Sequence, residues 1–433
     1  MSMKQTPSPH SWALLPLGVF LVAYAAVSVA AGDFYKMPIT VAFVLASMVA
    51  IMQTAGPTLS ARVERFCQGA ANPNILMMVM IFILAGGFAQ TAKAAGAVEA
   101  AVNLTLALLP GNMLAAGLFL AACVVSVAIG TSVGTIVALT PVAAGLAAQT
   151  GLSAALMGAV VISGAMFGDN LSVISDTTIV ATRTQGCKMA DKLKTNFRLV
   201  MPLAILTTLL YIFAGSGAVQ TVTPQPVNWL KVLPYLAVLV AAIRGVHVMV
   251  VLTGGTILCG VVGLLDGSFN GWGWINSVGT GINSMGELII VTLLAGGMLE
   301  LMRINGGLAW IVQKSTSHLR DRKGAELGLA TVVSLANVCT ANNTIALIMA
   351  GPIAKEIAQK FNIAPNRAAS LLDIFSCVTQ GILPYGAQLL MAASLSGVPP
   401  LQMMKYLYYP YLLGLGALAA IWWNLPRYKT ATT

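Results

Sequence analysis

Apolar runs long enough to cross a membrane recur along nearly the whole chain. Their approximate ranges are 13–31, 37–56, 75–92, 155–182, 199–218, 229–243, 247–265, 285–302, 367–392 and 407–424. A transmembrane helix needs about 20 predominantly apolar residues, and these runs have about that length. The polar stretches between them are too short to form an aqueous domain. The pattern therefore predicts an all-α polytopic membrane protein with about ten full spans.

Two further apolar regions, 113–150 and 324–355, are interrupted by small polar clusters near their middle. The first cluster is Gly-Thr-Ser-Val-Gly-Thr at 130–135, and the second is Thr-Ala-Asn-Asn-Thr at 340–344. Irregular backbone at membrane depth must line a cavity or be buried in protein. Each region is therefore predicted to be a re-entrant hairpin or a broken helix, in addition to the ten spans.

The two halves of the chain share a register of small residues. Ile-Leu-Ala-Gly-Gly at 83–87 recurs as Leu-Leu-Ala-Gly-Gly at 293–297, and Gly96 recurs as Gly306 at the same displacement. The cluster at 130–135 falls on 341–346, and Pro141 on Pro352. A near-constant displacement of this kind is typical of an internal repeat. We predict one membrane domain made of two repeats, residues 1–220 and 221–433.

Charge indicates how the repeats are oriented. Only 8% of residues are charged, and the net charge of +10 comes from Lys and Arg in short segments between apolar runs. The 183–198 segment holds five basic residues, whereas its counterpart near 394–406 holds only Lys405. Because basic residues favour the cytoplasmic side, opposite bias predicts inverted repeats. Both termini would then be cytoplasmic in a bacterial inner membrane. The partners expected are the bilayer and a small solute, with a homodimer possible and no nucleic acid.

Interrupted segments in inverted repeats indicate a binding site near the bilayer midplane. The hairpin tips offer hydroxyl and amide oxygens that suit a small hard cation such as Na⁺. These candidates are Thr131, Ser132, Thr135, Asn342, Asn343 and Thr344. The alternative is that such small polar residues only let helices pack closely.

Asp169 and Asp176 interrupt the apolar segment 155–182. A carboxylate at this depth costs roughly 2.5–3.5 kcal/mol unless it faces a cavity or a partner. Asp169 can bind Na⁺ when ionised and release it when protonated, so we predict a Na⁺ site beside it. Seven residues of helix would place Asp176 two turns away on the same face. Asp176 could instead be a helix-end carboxylate near the cytoplasmic side.

The second half differs at the corresponding position, because residue 169 falls on Gln380. Its segment is also interrupted, by Gly381 and Pro384, but its acid is Asp373. We expect one half to hold the ion and the other to shape a pocket with Asp373, Thr379 and Gln380. Asp373 could alternatively form a structural pair with Arg367.

Three motifs occur in order over Gly130–Thr178: G-T-S-x-G-T at 130–135, I-S-G-A-x-F-G-D at 162–169 and S-D-T-T at 175–178. With them the chain resembles the NhaC family of Na⁺/H⁺ antiporters, within the broader ion-transporter superfamily. The resemblance implies a secondary transporter with discontinuous helices. It also implies an ion-site region formed by Asp169, Ser172, Ser175, Asp176 and Thr177, with the adjacent Asn170. Members often carry Lys and Pro where this chain has Asn170 and Val173.

Two functions follow from these residues. The first is Na⁺/H⁺ antiport at Asp169, and the second is Na⁺- or H⁺-coupled transport of a small amino acid or organic acid. An intramembrane aspartyl protease would carry G-x-G-D, but the residues before Asp169 are Met-Phe-Gly. The chain also has no Walker A or HExxH motif. We therefore predict a transporter, not an enzyme, that needs no cofactor beyond Na⁺ and H⁺.

Overall fold

The computed structural model describes residues 8–31, 37–56, 58–173, 175–216, 226–244, 246–316 and 321–425. These residues form helices and connecting segments, without strands, which confirms the all-α prediction. The first half contains α1 Leu15–Ala31, α2 Ile39–Gln53, α3 Leu59–Ala70, α4 Pro73–Ala94, α5 Ala97–Leu108, α6 Leu114–Ile129, α7 Ser132–Thr150, α8 Ala154–Leu171, α9 Asp176–Gln185 and α10 Met189–Gly215. The second half contains α11 Trp229–Ile243, α12 Val248–Leu265, α13 Gly271–Ser284, α14 Gly286–Ile304, α15 Gly307–Thr316, α16 Arg322–Thr340, α17 Asn343–Lys360, α18 Pro365–Ile382, α19 Ala387–Ser396, α20 Pro400–Met404 and α21 Tyr408–Trp422.

Several of these helices are long and apolar enough to cross a membrane. Among the described residues, six segments meet that condition by length and composition, or seven if the bent pair α13–α14 is one span. Other apolar helices, such as α2, α5 and most of α11, are shorter. The chain is thus a multi-pass membrane protein, and the number of about ten full spans stays a prediction.

Four of the segments between the predicted apolar runs contain short helices. Residues 62–65 belong to α3 and residues 271–282 to α13, while 93–112 and 303–323 contain α5 and α15. In α3, the Thr58 side chain caps the helix by accepting a hydrogen bond from the Ala61 N–H. These helices escaped prediction because a search for spanning runs overlooks short helices flanked by polar residues. The loop predicted at 183–198 is shorter than expected, because α10 already begins at Met189.

The predicted interruptions are confirmed at all four places. Helix α6 ends before Gly130 and α7 begins at Ser132, whereas α16 ends before Ala341 and α17 begins at Asn343. Gly130 and Ala341 both adopt the left-handed conformation, with φ of 74° and 49°. That conformation is normal for glycine but disfavoured for alanine. The backbone turn is therefore retained in the second half without the residue that favours it.

The repeat extends from sequence to backbone and hydrogen bonds. When the first half is displaced along the sequence onto the second, α8 (Ala154–Leu171) coincides with α18 (Pro365–Ile382) at both ends. The same displacement aligns both ends of α9 with those of α19. The Ser126 hydroxyl donates to the Ala165 carbonyl at 2.8 Å, and the Asn337 amide donates to the Ser376 carbonyl at 2.7 Å. The same displacement relates these two pairs. The inverted orientation of the copies stays a prediction, and the boundary at 220/221 lies outside the described residues.

The broken helices occupy the centre of the protein. Nearly all of α8 and most of α18 are buried, so neither helix has a broad lipid-facing side. Helix α9 packs against α17, and α19 packs against α7. The helix after each break therefore contacts the hairpin arm of the other half, and this crossed packing brings both breaks to one place.

Candidate functional site

Asp169 lies in the last turn of α8, buried from solvent, and faces the tip of the first hairpin. Its Oδ1 accepts a hydrogen bond from the Ser132 N–H at 3.1 Å. Ser132 is the first residue of α7, and the N-terminus of a helix carries partial positive charge that favours an anion. The motif at 130–135 and the aspartate at 169 are therefore parts of one site.

The start of α9 is tied to the end of α8 through the backbone of Asp169. The hydroxyls of Thr177 and Thr178 both donate to the Asp169 carbonyl at 3.3 Å. The Ser175 and Thr177 hydroxyls are 2.9 Å apart and hydrogen-bonded. The break thus exposes a carbonyl and gathers hydroxyl oxygens around it, an arrangement that discontinuous helices use to bind cations.

Gly168 sets how closely α8 approaches α6. A Cβ at this position would lie 2.1 Å from the Ser126 Oγ and 2.5 Å from the Ser126 backbone carbon. Because a backbone atom cannot move aside as a side chain can, only glycine fits here. The residue before Asp169 therefore has a packing role that fixes the position of the carboxylate.

In the second half, amide side chains replace the carboxylate. Gln380 donates to the Ala341 carbonyl at 3.0 Å and to Gln388 Oε1 at 2.6 Å. Gln388 in turn donates to the Ser132 hydroxyl at 3.1 Å. This chain of hydrogen bonds joins the two hairpin tips. Gln388 escaped sequence reasoning, although the repeat register aligns it with Thr177 and could have identified it.

A cavity of about 110 Å³ lies between the two breaks. Ten of the fifteen residues named from sequence line it: Thr131, Ser132, Asp169, Ser175, Asp176, Thr177, Asn342, Asn343, Thr344 and Gln380. Met77, Met78 and Ile81 of α4 close one side with apolar surface. The cavity is thus lined by polar side chains at the breaks and hairpin tips and by apolar side chains on α4.

The other five sequence candidates lie outside this cavity lining. Thr135 and Thr379 donate to carbonyls one turn earlier in their own helices, at Thr131 and Phe375. Asn170 does the same to the Met166 carbonyl, and Ser172 caps the end of α8. These contacts shape the local helix. Asp373 belongs to a separate cluster.

Asp176 is placed differently from the prediction. It is an exposed first residue of α9, with a break in the helix between it and Asp169. The two aspartates therefore do not lie two turns apart on one continuous helix, so the first of the two positions considered for Asp176 is not observed. A carboxylate in the first turn of a helix is favoured by the helix dipole, which agrees with the helix-end alternative.

Asp373 does not pair with Arg367. Its Oδ2 accepts from the Lys192 ammonium at 2.7 Å and from the Asn196 amide at 2.9 Å. Arg367 instead donates to Glu326 at 2.9 Å. The predicted pair assumed that neighbours along the chain are partners, whereas both charges find partners on other helices. Glu300 and Arg303, which are neighbours within one helix, do form an ion pair.

Lys192 was predicted to lie in the loop 183–198, but it belongs to α10. It is fully buried in the first turn of α10, where it also donates to the Asn170 carbonyl at 3.0 Å and to the Thr178 hydroxyl at 2.7 Å. An ammonium therefore lies next to the chain segment of Asp169 although residue 170 itself is neutral. Lys192 and Asn196 are one helical turn apart, so the sequence alone could have placed both side chains on the same face of a helix.

The sequence of this chain is similar to those of known proteins. The profile of the Na⁺/H⁺ antiporter family matches residues 8–216 and 222–423. The Na⁺/H⁺ antiporter NhaC of Bacillus subtilis is 25% identical over 78% of this chain and 81% of its own length. NhaC of Alkalihalophilus pseudofirmus is 22% identical over 77% and 79%, respectively. A malate-2H⁺/Na⁺-lactate antiporter of Bacillus subtilis is 22% identical over 92% and 91%. The match covers both halves of the chain, which therefore belongs to the Na⁺/H⁺ antiporter family.

Proposed function

We propose that this protein exchanges Na⁺ for H⁺ across the membrane, with both ions competing for the Asp169 carboxylate. The observation that carries the proposal is the environment of that group. It is buried, it lines a cavity together with polar side chains of both breaks, it accepts a hydrogen bond from the Ser132 N–H, and no ion pair to it occurs among the described residues. An isolated carboxylate is costly at this depth, so either a proton or a cation must neutralise it.

The oxygens around the cavity suit Na⁺ as the competing cation. The hydroxyls of Thr131, Ser175 and Thr177 line it together with the carboxylate, and the Asn343 and Thr344 side chains lie opposite. Hard cations prefer oxygen ligands of this kind, and unwound segments of transporter helices supply them. Binding a proton removes the negative charge that holds Na⁺, which makes the two ions alternative occupants.

Flux in proteoliposomes tests this proposal. With an imposed pH gradient, acid inside, the wild-type protein should accumulate radiolabelled Na⁺ as protons leave. Asp169→Asn should abolish this flux while the protein remains folded. Asp266→Asn is the matched control, because Asp266 is an exposed aspartate that pairs with Lys231 at 2.6 Å, away from the breaks. Wild-type flux by Asp169→Asn would contradict the assignment of Asp169.

A second candidate is exchange of a small organic acid or amino acid coupled to Na⁺ or H⁺. The cavity of about 110 Å³ has room for more than one ion, since a single water needs only about 10–15 Å³ by a comparable measure. The relative named as a malate-2H⁺/Na⁺-lactate antiporter covers 92% of this chain. The N-termini of α7 and α17 both open on the cavity and could hold a carboxylate.

Hydrogen bonding at those N-termini favours the ion over the organic acid. The Ser132 N–H is already bonded to Asp169, and the Ile345 and Thr344 N–H groups are bonded to the side chains of Asn342 and Asn343. A substrate carboxylate would have to displace these acceptors. A thermal-shift screen separates the candidates, because a ligand that binds the native state raises its melting temperature. Stabilisation by malate or lactate without Na⁺ flux would favour the second candidate.

The orientation in the membrane belongs to the same proposal. We place the N-terminus and the segment 183–198 in the cytoplasm of a bacterial cell, because this segment carries four exposed basic residues, Arg183, Lys188, Lys194 and Arg198. Labelling of an engineered cysteine at Lys188 with a membrane-impermeant thiol reagent should then fail in intact cells. It should succeed in inside-out vesicles, and labelling of intact cells would reverse the proposed orientation.

A further inference from the structure

Lys192 places an ammonium inside a set of oxygens that resembles a cation site. Its Nζ contacts the Asn170 carbonyl at 3.0 Å, the Thr178 hydroxyl at 2.7 Å and Asp373 Oδ2 at 2.7 Å. An ammonium has three N–H donors, and these three oxygens use all of them. One carbonyl, one hydroxyl and one carboxylate at a helix break are also the groups that coordinate Na⁺ in transporters.

The cluster contains more acceptors than its donors can satisfy. Asp373 Oδ1 and Asn196 Oδ1 are buried and accept no hydrogen bond from the described residues. The orientation of Asn196 is fixed, because its Nδ2 donates to both the Asn170 carbonyl and Asp373 Oδ2. A buried ion pair that served only stability would be expected to have its remaining lone pairs satisfied. The surplus of oxygens is what a site for a cation would show.

The cluster is joined directly to the backbone of Asp169. The Thr178 hydroxyl accepts from Lys192 and donates to the Asp169 carbonyl. The Asn170 carbonyl, which also contacts Lys192, belongs to the next residue along the chain. Two buried carboxylates thus adjoin one helix break. Asp373 is neutralised by the protein's own cation, whereas Asp169 has no ion-pair partner among the described residues.

We propose that these oxygens form a second cation site that the Lys192 ammonium occupies permanently, so that one fewer Na⁺ is bound per cycle. Lys192 then limits how many Na⁺ ions this chain binds. Removing the ammonium while keeping Asp373 opens the site, and Na⁺ takes its place with water completing its coordination. The inference rests on the proposed function for the identity of the ion, and on the geometry of the cluster for everything else.

Lys192→Met tests it, because methionine keeps much of the length of the side chain and removes the charge. Equilibrium binding of radiolabelled Na⁺ to purified protein should rise by one ion per chain relative to wild type. The variant should be destabilised in choline chloride and regain its melting temperature in NaCl, since Na⁺ binds only the native state. The double variant Lys192→Met/Asp373→Asn should return the Na⁺ count to the wild-type value and lose the dependence on NaCl.

Two outcomes would overturn the inference. An unchanged Na⁺ count in a folded Lys192→Met protein would mean that the ammonium only balances charge. Failure to obtain that variant even in high NaCl would mean that Na⁺ cannot replace the ammonium. The proposed function is tested separately by wild-type Na⁺ flux. Absence of that flux together with a gain of one Na⁺ by Lys192→Met would refute the antiport and retain the second site.

Discussion

The two helix breaks share one backbone and carry different chemistry. Helix α8 ends at Leu171 and α18 at the corresponding Ile382, and both α9 and α19 begin after a gap of four residues. In the first break Asp169 accepts from the Ser132 N–H, whereas in the second Gln380 donates to the Ala341 carbonyl. The polarity of the contact is reversed. The two breaks therefore match in backbone course but differ in side chain, since one presents an acceptor to its hairpin tip and the other a donor.

Buried charge is divided between the halves in the same unequal way. Arg367 and Glu326 form a buried pair at 2.9 Å between α18 and α16. The corresponding residues of the first half are Leu156 and Ala115, which are buried and apolar. Asp373 on α18 is neutralised by Lys192, which α10 of the first half contributes. The buried acids Glu326 and Asp373 of the second half are thus paired with basic side chains, whereas Asp169 of the first half has no ion-pair partner among the described residues.

Making the first break resemble the second should give the largest effect. Asp169→Gln removes the charged acceptor of the Ser132 N–H, so we expect coupled Na⁺ flux to fall by at least about 1,000-fold, or about 4 kcal/mol. Flux in proteoliposomes measures this, and circular dichroism checks the fold. The exchanged variant Asp169→Gln/Gln380→Asp should remain inactive, because a carboxylate at 380 would face the Ala341 carbonyl. Recovery of flux would show that the asymmetry has no function.

Arg367 should matter most for stability. Replacing it with Met leaves the Glu326 carboxylate buried without its partner, which typically costs roughly 3–5 kcal/mol. Arg322 lies 3.6 Å from Glu326 and offsets part of this loss. Thermal unfolding in detergent measures the change. The matched control is Leu156→Met at the corresponding position of the first half, where a volume-conserving change should cost less than about 1.5 kcal/mol. Equal shifts would contradict the unequal distribution of charge.

The sequence predicted the breaks but not their partners. Polar clusters inside apolar runs located the four interruptions, and the repeat register paired Asp169 with Gln380. Lys192, Asn196 and Gln388 escaped prediction because their roles depend on which helices meet, and packing across the two halves is not encoded in local hydropathy. The short helices α3, α5, α13 and α15 were missed for a related reason. They are shorter than a full span, so the length criterion does not detect them.

Gly168 should tolerate alanine poorly. The added Cβ would lie 2.5 Å from the Ser126 backbone carbon, so α6 and α8 must separate, and overpacking of this kind costs roughly 1–3 kcal/mol. The separation also moves the Asp169 carboxylate away from Ser132, so Na⁺ flux should fall together with the melting temperature. Thr379, the corresponding residue of α18, already carries a side chain, and Thr379→Ala should cost less. A stable and fully active Gly168→Ala protein would mean that the close approach is not required.

The hydrogen bonds that link α6 to α8 and α16 to α18 should be nearly equivalent. Ser126→Ala removes a donor to the Ala165 carbonyl, and Asn337→Ala removes a donor to the Ser376 carbonyl. Each carbonyl belongs to the interior of a helix and keeps its helical partner, so each loss should cost only about 0.5–1.5 kcal/mol.

Thr140→Val is the matched control for these two variants, because the buried Thr140 hydroxyl has no partner among the described residues. Removing an unpaired hydroxyl should leave the melting temperature unchanged or raise it slightly. If Ser126→Ala behaved like Thr140→Val while Asn337→Ala was destabilised, the link would operate in the second half alone. The symmetry of the two halves would then be confined to the course of the backbone, and the hydrogen bonds would have diverged along with the charges.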